Sequence, residues 1–141
     1  MTRIDFYTQV DDKLRFACRL CAKALSQRLR VNVYAPEPKL AERFDHLLWT
    51  ESATGFLPHC DANHGLAADT PVLIHQRENA LLHDDLLINL SVDWPPFFSR
   101  FQRMIEIVSV AEEDALAARA RFRFYRDRGY AMKTHAMADT A

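Results

Sequence analysis

Glycine is scarce: there are three in 141 residues, Gly55, Gly65 and Gly129, and no two lie close together. Backbone amides approach a phosphate closely only where side chains are missing. Both the G-x-G-x-x-G turn and the Walker loop are therefore excluded, and with them the common nucleotide-binding enzymes. Cysteine is equally sparse. Three thiols, an odd number, build no disulfide framework and fit a reducing compartment. No apolar run approaches the ~20 residues needed to cross a bilayer. In the opening Met1-Thr2-Arg3-Ile4-Asp5, an acid falls where a signal peptide carries its apolar core. The expected location is the cytoplasm, with no membrane contact.

The bulk composition is that of a globular protein, with 49% hydrophobic and 26% charged residues. A chain of this length buries roughly two-thirds of its unfolded surface around one core. Residues 3 to 8 (Arg-Ile-Asp-Phe-Tyr-Thr) read as a strand closed by the turn formers Asp11 and Asp12. From Lys13 to Leu29, Leu14, Ala17, Cys18, Cys21, Ala22 and Leu25 recur at helical spacing, which predicts a helix with one buried stripe. Val31, Val33 and Tyr34 make a second strand, and a helix from Pro38 to about Leu48 follows. This strand–helix–strand unit implies a parallel pair, so the fold class is α/β.

An irregular stretch after Trp49 contains Gly55, Pro58 and Gly65. Val72 to Ile74 and Leu86 to Leu90 are short apolar runs of the kind buried in parallel sheets. Met104 to Val110 is read as a fifth strand. A last helix starts at the acids Glu112, Glu113 and Asp114 and stops at Gly129. The expectation is a single α/β domain over residues 1–130, a mostly parallel sheet of about five strands flanked by helices, with a flexible tail from 131 to 141.

The most unusual segment is 119–130, with five arginines and four aromatics in twelve positions. Between 115 and 133, six cations meet one anion, a net of +5 that leaves −6 on the rest of a chain whose total is −1. On a helix, Arg119, Arg123 and Arg126 share an arc of about 60°, with Phe122 about 40° beyond it, while Arg121 and Arg128 point elsewhere and read as solvated. A single-sign stripe beside an aromatic is either a solvated face or a site for an anion with an apolar neighbour.

Catalytic chemistry finds little support. Cys18 and Cys21 have C-x-x-C spacing but sit mid-helix on the apolar stripe, where packing explains them. His59, Cys60 and His64 offer three ligands within six residues, yet no fourth stands at a finger-like spacing, and no third residue orients a Cys-His pair. No cofactor is expected. Trp49, Phe56, Leu57 and Pro58 form an apolar group beside a turn-prone stretch, either folded into the core or presented to a partner.

Several segments taken together resemble the chi subunit of the bacterial DNA polymerase III holoenzyme, part of its clamp-loader assembly. They are Ile4-Asp5-Phe6-Tyr7, Leu47-Leu48-Trp49 with Phe56-Leu57-Pro58-His59, Leu87-Ile88-Asn89-Leu90, Ile105-Glu106-Ile107-Val108, and Arg119 to Arg126 with Gly129. The resemblance covers nearly the whole chain. It implies a Rossmann-like fold without a nucleotide site and a non-catalytic adaptor in DNA replication. Such an adaptor links the clamp loader to single-stranded-DNA-binding protein by gripping that protein's acidic tail, which ends in proline and phenylalanine, and it meets DNA only indirectly.

By the same resemblance, tail binding falls to Arg119, Phe122 and Arg123, and the stripe adds Arg126. The family often has Lys at the position of Arg123 and Trp or Tyr at that of Phe122. A second surface, carried by Trp49, Phe56, Pro58 and His59, is implied to hold a psi subunit or an alternative helicase partner. The loop after His59 looks shorter here than in better-known members.

Two other readings stand beside this one. A direct single-stranded nucleic-acid binder would use Arg119, Phe122 and Arg123, against the repulsion of an acidic remainder. A small thiol or metal enzyme would use His59, Cys60 and His64.

Overall fold

The computed structural model describes residues 1–50, 59–61, 70–77 and 83–137. Strand β1 (Arg3–Val10) leads into helix α1 (Lys13–Ser26), strand β2 (Val31–Tyr34) and helix α2 (Pro38–Thr50). Strands β3 (His59–Asp61), β4 (Val72–His75), β5 (Leu86–Asn89) and β6 (Arg103–Ser109) follow, then helix α3 (Glu112–Asp127) and strand β7 (Ala131–Ala136). The strands form one open α/β sheet in the order β3-β4-β2-β5-β6-β1-β7, and every pairing is parallel. Among the described residues, no helix is long and apolar enough to cross a membrane.

Alternation along the strands gives the sheet two buried faces. Ile105 and Ile107 of β6 join Val33 and Ile88 beneath Ala17, Cys21, Phe44 and Leu48 of α1 and α2. Met104 and Val108 of β6 point the other way, joining Ile4, Phe6, Phe98 and Phe101 beneath Ala118 and Tyr125 of α3.

The helix ends follow local chemistry. Asp12, extended at φ −123°, caps α1 by accepting from the Arg15 amide at 3.2 Å. At the other end of α1, Arg28 takes φ 61°, and the amides of Arg28 and Leu29 donate to Leu25 and Ala24 in the pattern usually built on glycine. Helix α3 ends on Gly129 at φ 80°, as its position in the sequence predicts.

The sheet has two more strands than the five expected. His59–Asp61 is a three-residue edge strand pairing with β4, within a stretch read as irregular because it has no apolar run. Ala131–Ala136, expected to begin a flexible tail, pairs parallel with β1 from Arg3↔Ala131 to Thr8↔Ala136. Its composition hides it: Thr134 alone in Ala-Met-Lys-Thr-His-Ala is a usual β-former, and Lys133 suits an exposed edge strand. Residues 138–141 lie outside the described residues.

Candidate functional site: an apolar groove beside the arginine helix

Helix α3 runs back across the sheet from β6 towards the start of β7 and leaves a groove of about 500 Å³ along one flank. The apolar lining comes from Phe6 and Val108 on the strands, from Val110 just past β6, and from Ala115, Ala118 and Phe122 on the helix. The polar lining is Thr8, Gln9, Ser109, Thr134 and Arg119. Phe122 is half-buried and meets Phe6 edge-on at 5.3 Å between centroids. The sequence pairing of Arg119 with Phe122 is thus realised on one concave surface. Arg123 and Arg126 are exposed on the same helix but do not line the groove, and Arg126 lies 3.4 Å from Asp127.

Arg121 corrects the reading of the stripe. It is not solvated but 1% exposed, and its Nε donates to Oε1 of Glu106 at 2.9 Å. The other carboxylate oxygen accepts from Tyr125 Oη at 2.6 Å and from Asn89 Nδ2 at 2.9 Å. Arg121 Nη1 also donates to the Val92 carbonyl at 2.9 Å. Burial raises the Glu106 carboxyl above the ordinary glutamate range, with Arg121, Tyr125 and Asn89 opposing that shift. A sequence signal for this pair existed: an acid inside Met104-Ile-Glu-Ile-Val is buried at the strand period and needs a cation. Arg128 is exposed, as expected, but its guanidinium lies 3.6 Å over the ring of Phe124.

The second surface is at the opposite edge of the sheet. Trp49, in the last turn of α2, is 58% exposed, whereas His59 on β3 is buried, edge-on to the Trp49 ring at 5.1 Å. His59 Nε2 lies 3.1 Å from Asp45 Oδ1. A depression of about 870 Å³ adjoins them, lined by basic and acidic side chains together, among them Arg15, Arg43, Glu42 and Asp45, with Trp49 at its edge. Of the expected set, Trp49 faces solvent and His59 supports it from within, while Phe56 and Pro58 lie outside the described residues.

The described residues contain no group of three His, Cys, Asp or Glu side chains able to hold a metal ion, and His64 lies outside them. Cys18 and Cys21 are buried in α1, and burial pushes the Cys21 thiol far up, away from the thiolate. His75 is bonded through Asn32 to His83, and burial lowers its pKa to about 4, so it is a neutral hydrogen-bonding group. The β1–α1 turn, where doubly wound folds often seat a phosphate, carries Asp11 and Asp12.

Residues 1–133 match the model of the family described as DNA polymerase III chi subunit, HolC. The chain is 38% identical over 141 residues to the DNA polymerase III subunit chi of Pseudomonas aeruginosa, covering 96% of each protein. It is 27% identical over 134 residues to the protein of that name from Escherichia coli K12, covering 94% of this chain and 89% of that one. A match that spans β1 to β6 and the whole of α3 and reaches into β7 leaves one conclusion: this chain belongs to the DNA polymerase III chi-subunit family.

Proposed function

We propose that this chain is a non-catalytic adaptor of the replication machinery that binds the acidic C-terminal tail of single-stranded-DNA-binding protein in the groove beside α3. Its opposite edge holds a psi subunit, which joins it to the clamp loader in the cytoplasm, or a helicase as an alternative partner. The observation that carries the reading is the meeting of Arg119 and Phe122 on one apolar groove. A peptide ending in proline-phenylalanine brings one aromatic side chain, one terminal carboxylate and several aspartates. The groove is roomy enough for a ring, Arg119 at its rim suits bidentate capture of a carboxylate, and Arg123 and Arg126 beyond it suit the aspartates.

The two surfaces are set apart as an adaptor needs. The groove lies over β6, β1 and β7 on the α3 face, and Trp49 lies at the β3 edge. From β3 to β1, where the groove centres, five strand spacings of about 4.8 Å make roughly 24 Å, so two partners bind without meeting. The test is calorimetric titration with a synthetic aspartate-rich peptide ending in proline-phenylalanine, beside the same peptide lacking its last residue. The complete peptide alone binds, and Arg123→Glu abolishes binding by setting an acid against an acidic ligand. Trp49→Ala leaves the titration unchanged. Equal binding of both peptides, or an unaffected Arg123→Glu protein, refutes carboxylate capture at this site.

A further inference from the structure

A break in β1 shapes the upper end of the groove. In an unbroken strand Gln9 would share the face of Asp5 and Tyr7, towards α1, and Val10 would face α3. The pairing of β1 with β6 shifts register between Tyr7 and Val10, and the alternation reverses there. Val10 enters the core on the α1 side, while Gln9 lines the groove next to Thr8. The reversal holds Gln9 at φ 59°, a left-handed conformation that suits glycine and is unfavourable for glutamine. A bulge with a strained residue, beside a site, that re-aims one side chain is the kind of feature kept for what the side chain does.

We infer that Gln9 is a specificity residue of the groove, its carboxamide pairing with the main chain of the peptide whose last side chain fills the apolar part. A carboxamide both donates and accepts, as a peptide unit does, and it carries no charge to repel an acidic ligand. The apolar lining takes the side chain, Arg119 takes the carboxylate, and Gln9 reads the adjoining backbone. This inference rests on the peptide-binding reading of the groove.

Two substitutions test it against the peptide ending in proline-phenylalanine. Gln9→Gly relieves the backbone and removes the carboxamide, so the melting temperature rises while affinity falls roughly three- to tenfold, the worth of one neutral hydrogen bond. Gln9→Leu keeps the strain and the bulk but not the polar atoms, and it loses affinity to the same extent without the gain in melting temperature. If both variants bind as the parent does, or Gln9→Leu binds as tightly as the parent while Gln9→Gly does not, the carboxamide has no such role. A parent chain that ignores the peptide overturns the groove reading, and Gln9's role with it.

Discussion

Arg121→Met is the substitution whose cost can be worked most fully from the structure. It removes the one cation that, among the described residues, is bonded to a fully buried carboxylate: Glu106 is 0% and Arg121 1% exposed. Breaking a buried ion pair from one side costs about 3–5 kcal/mol, because the remaining charge is left without compensation. Tyr125 and Asn89 still donate to Oε2, but Oε1 loses its donor. Set against a typical domain stability of about 5–15 kcal/mol, this is from about a fifth of the total to all of it.

The same substitution carries a pH signature. Burial already holds the Glu106 carboxyl above the glutamate value of 4.5, and Arg121 is the largest influence opposing that. Without the guanidinium the folded-state value climbs further. A carboxyl raised in the folded state contributes its stability fully below the unfolded value and loses it as pH rises through the folded one. The deficit of Arg121→Met is therefore larger at pH 8 than at pH 5. Urea unfolding of parent and variant at both pH values measures it, and adding Glu106→Gln to the variant recovers much of the loss at pH 8. A deficit below about 1 kcal/mol at pH 8, or one equal at the two pH values, refutes the picture of a buried charge stranded by the substitution.

Two further outcomes follow from single features. Arg28→Gly at φ 61° stabilises the end of α1 by about 0.5–1 kcal/mol, seen as a raised thermal midpoint by circular dichroism. Asp5 is buried, which acts to raise its carboxyl, but bonds from His135 at 3.1 Å and Arg103 at 2.7 Å prevail and hold it below its usual 3.8. A lowered folded-state value gives stability that is present above the unfolded value and lost as pH falls through the folded one. Asp5→Asn therefore costs about 1–3 kcal/mol at pH 7, and the gap from the parent narrows by pH 3; urea midpoints that differ equally at both refute the assignment.

What could be read from the sequence followed the strength of local pattern. The helix at Lys13–Ser26 and the apolar strands β4 and β5 declare themselves by period and by branched residues, and the parallel α/β class follows from their order. Ala22, placed on the buried stripe of α1, is exposed, and Ala24 is buried in its stead. Strands β3 and β7 have no such pattern, because an edge strand is half solvated and its pairing is dictated by its neighbour. The groove was legible on its helical side as Arg119 and Phe122. Its strand side was not: Thr8 and Gln9 line it together only through a register shift that no residue type announces. The inward turn of Arg121 was obscured by its neighbours, since four other arginines on the same segment do face solvent.

Helix α3 has an aromatic on each flank, and their contrast explains why the proposed binding falls to one of them. Phe124 is sandwiched: Trp94 stacks on it at 3.6 Å and 15°, and the Arg128 guanidinium lies 3.6 Å from its centroid. Two planar groups that close occupy opposite faces of the ring, so that flank is satisfied by the chain itself. Phe122 has an edge contact with Phe6 and otherwise borders the groove, with Arg119 at the rim. Leaving apolar surface open has a cost of about 25 cal/mol per Å², which closing the groove with longer side chains would avoid. Ala115 and Ala118 keep the wall low where leucines would fill the space. The short residues, the bulge at Gln9 and the unfilled face of Phe122 all act in one direction, holding open beside a cation a volume that suits an aromatic side chain next to a chain-terminal carboxylate.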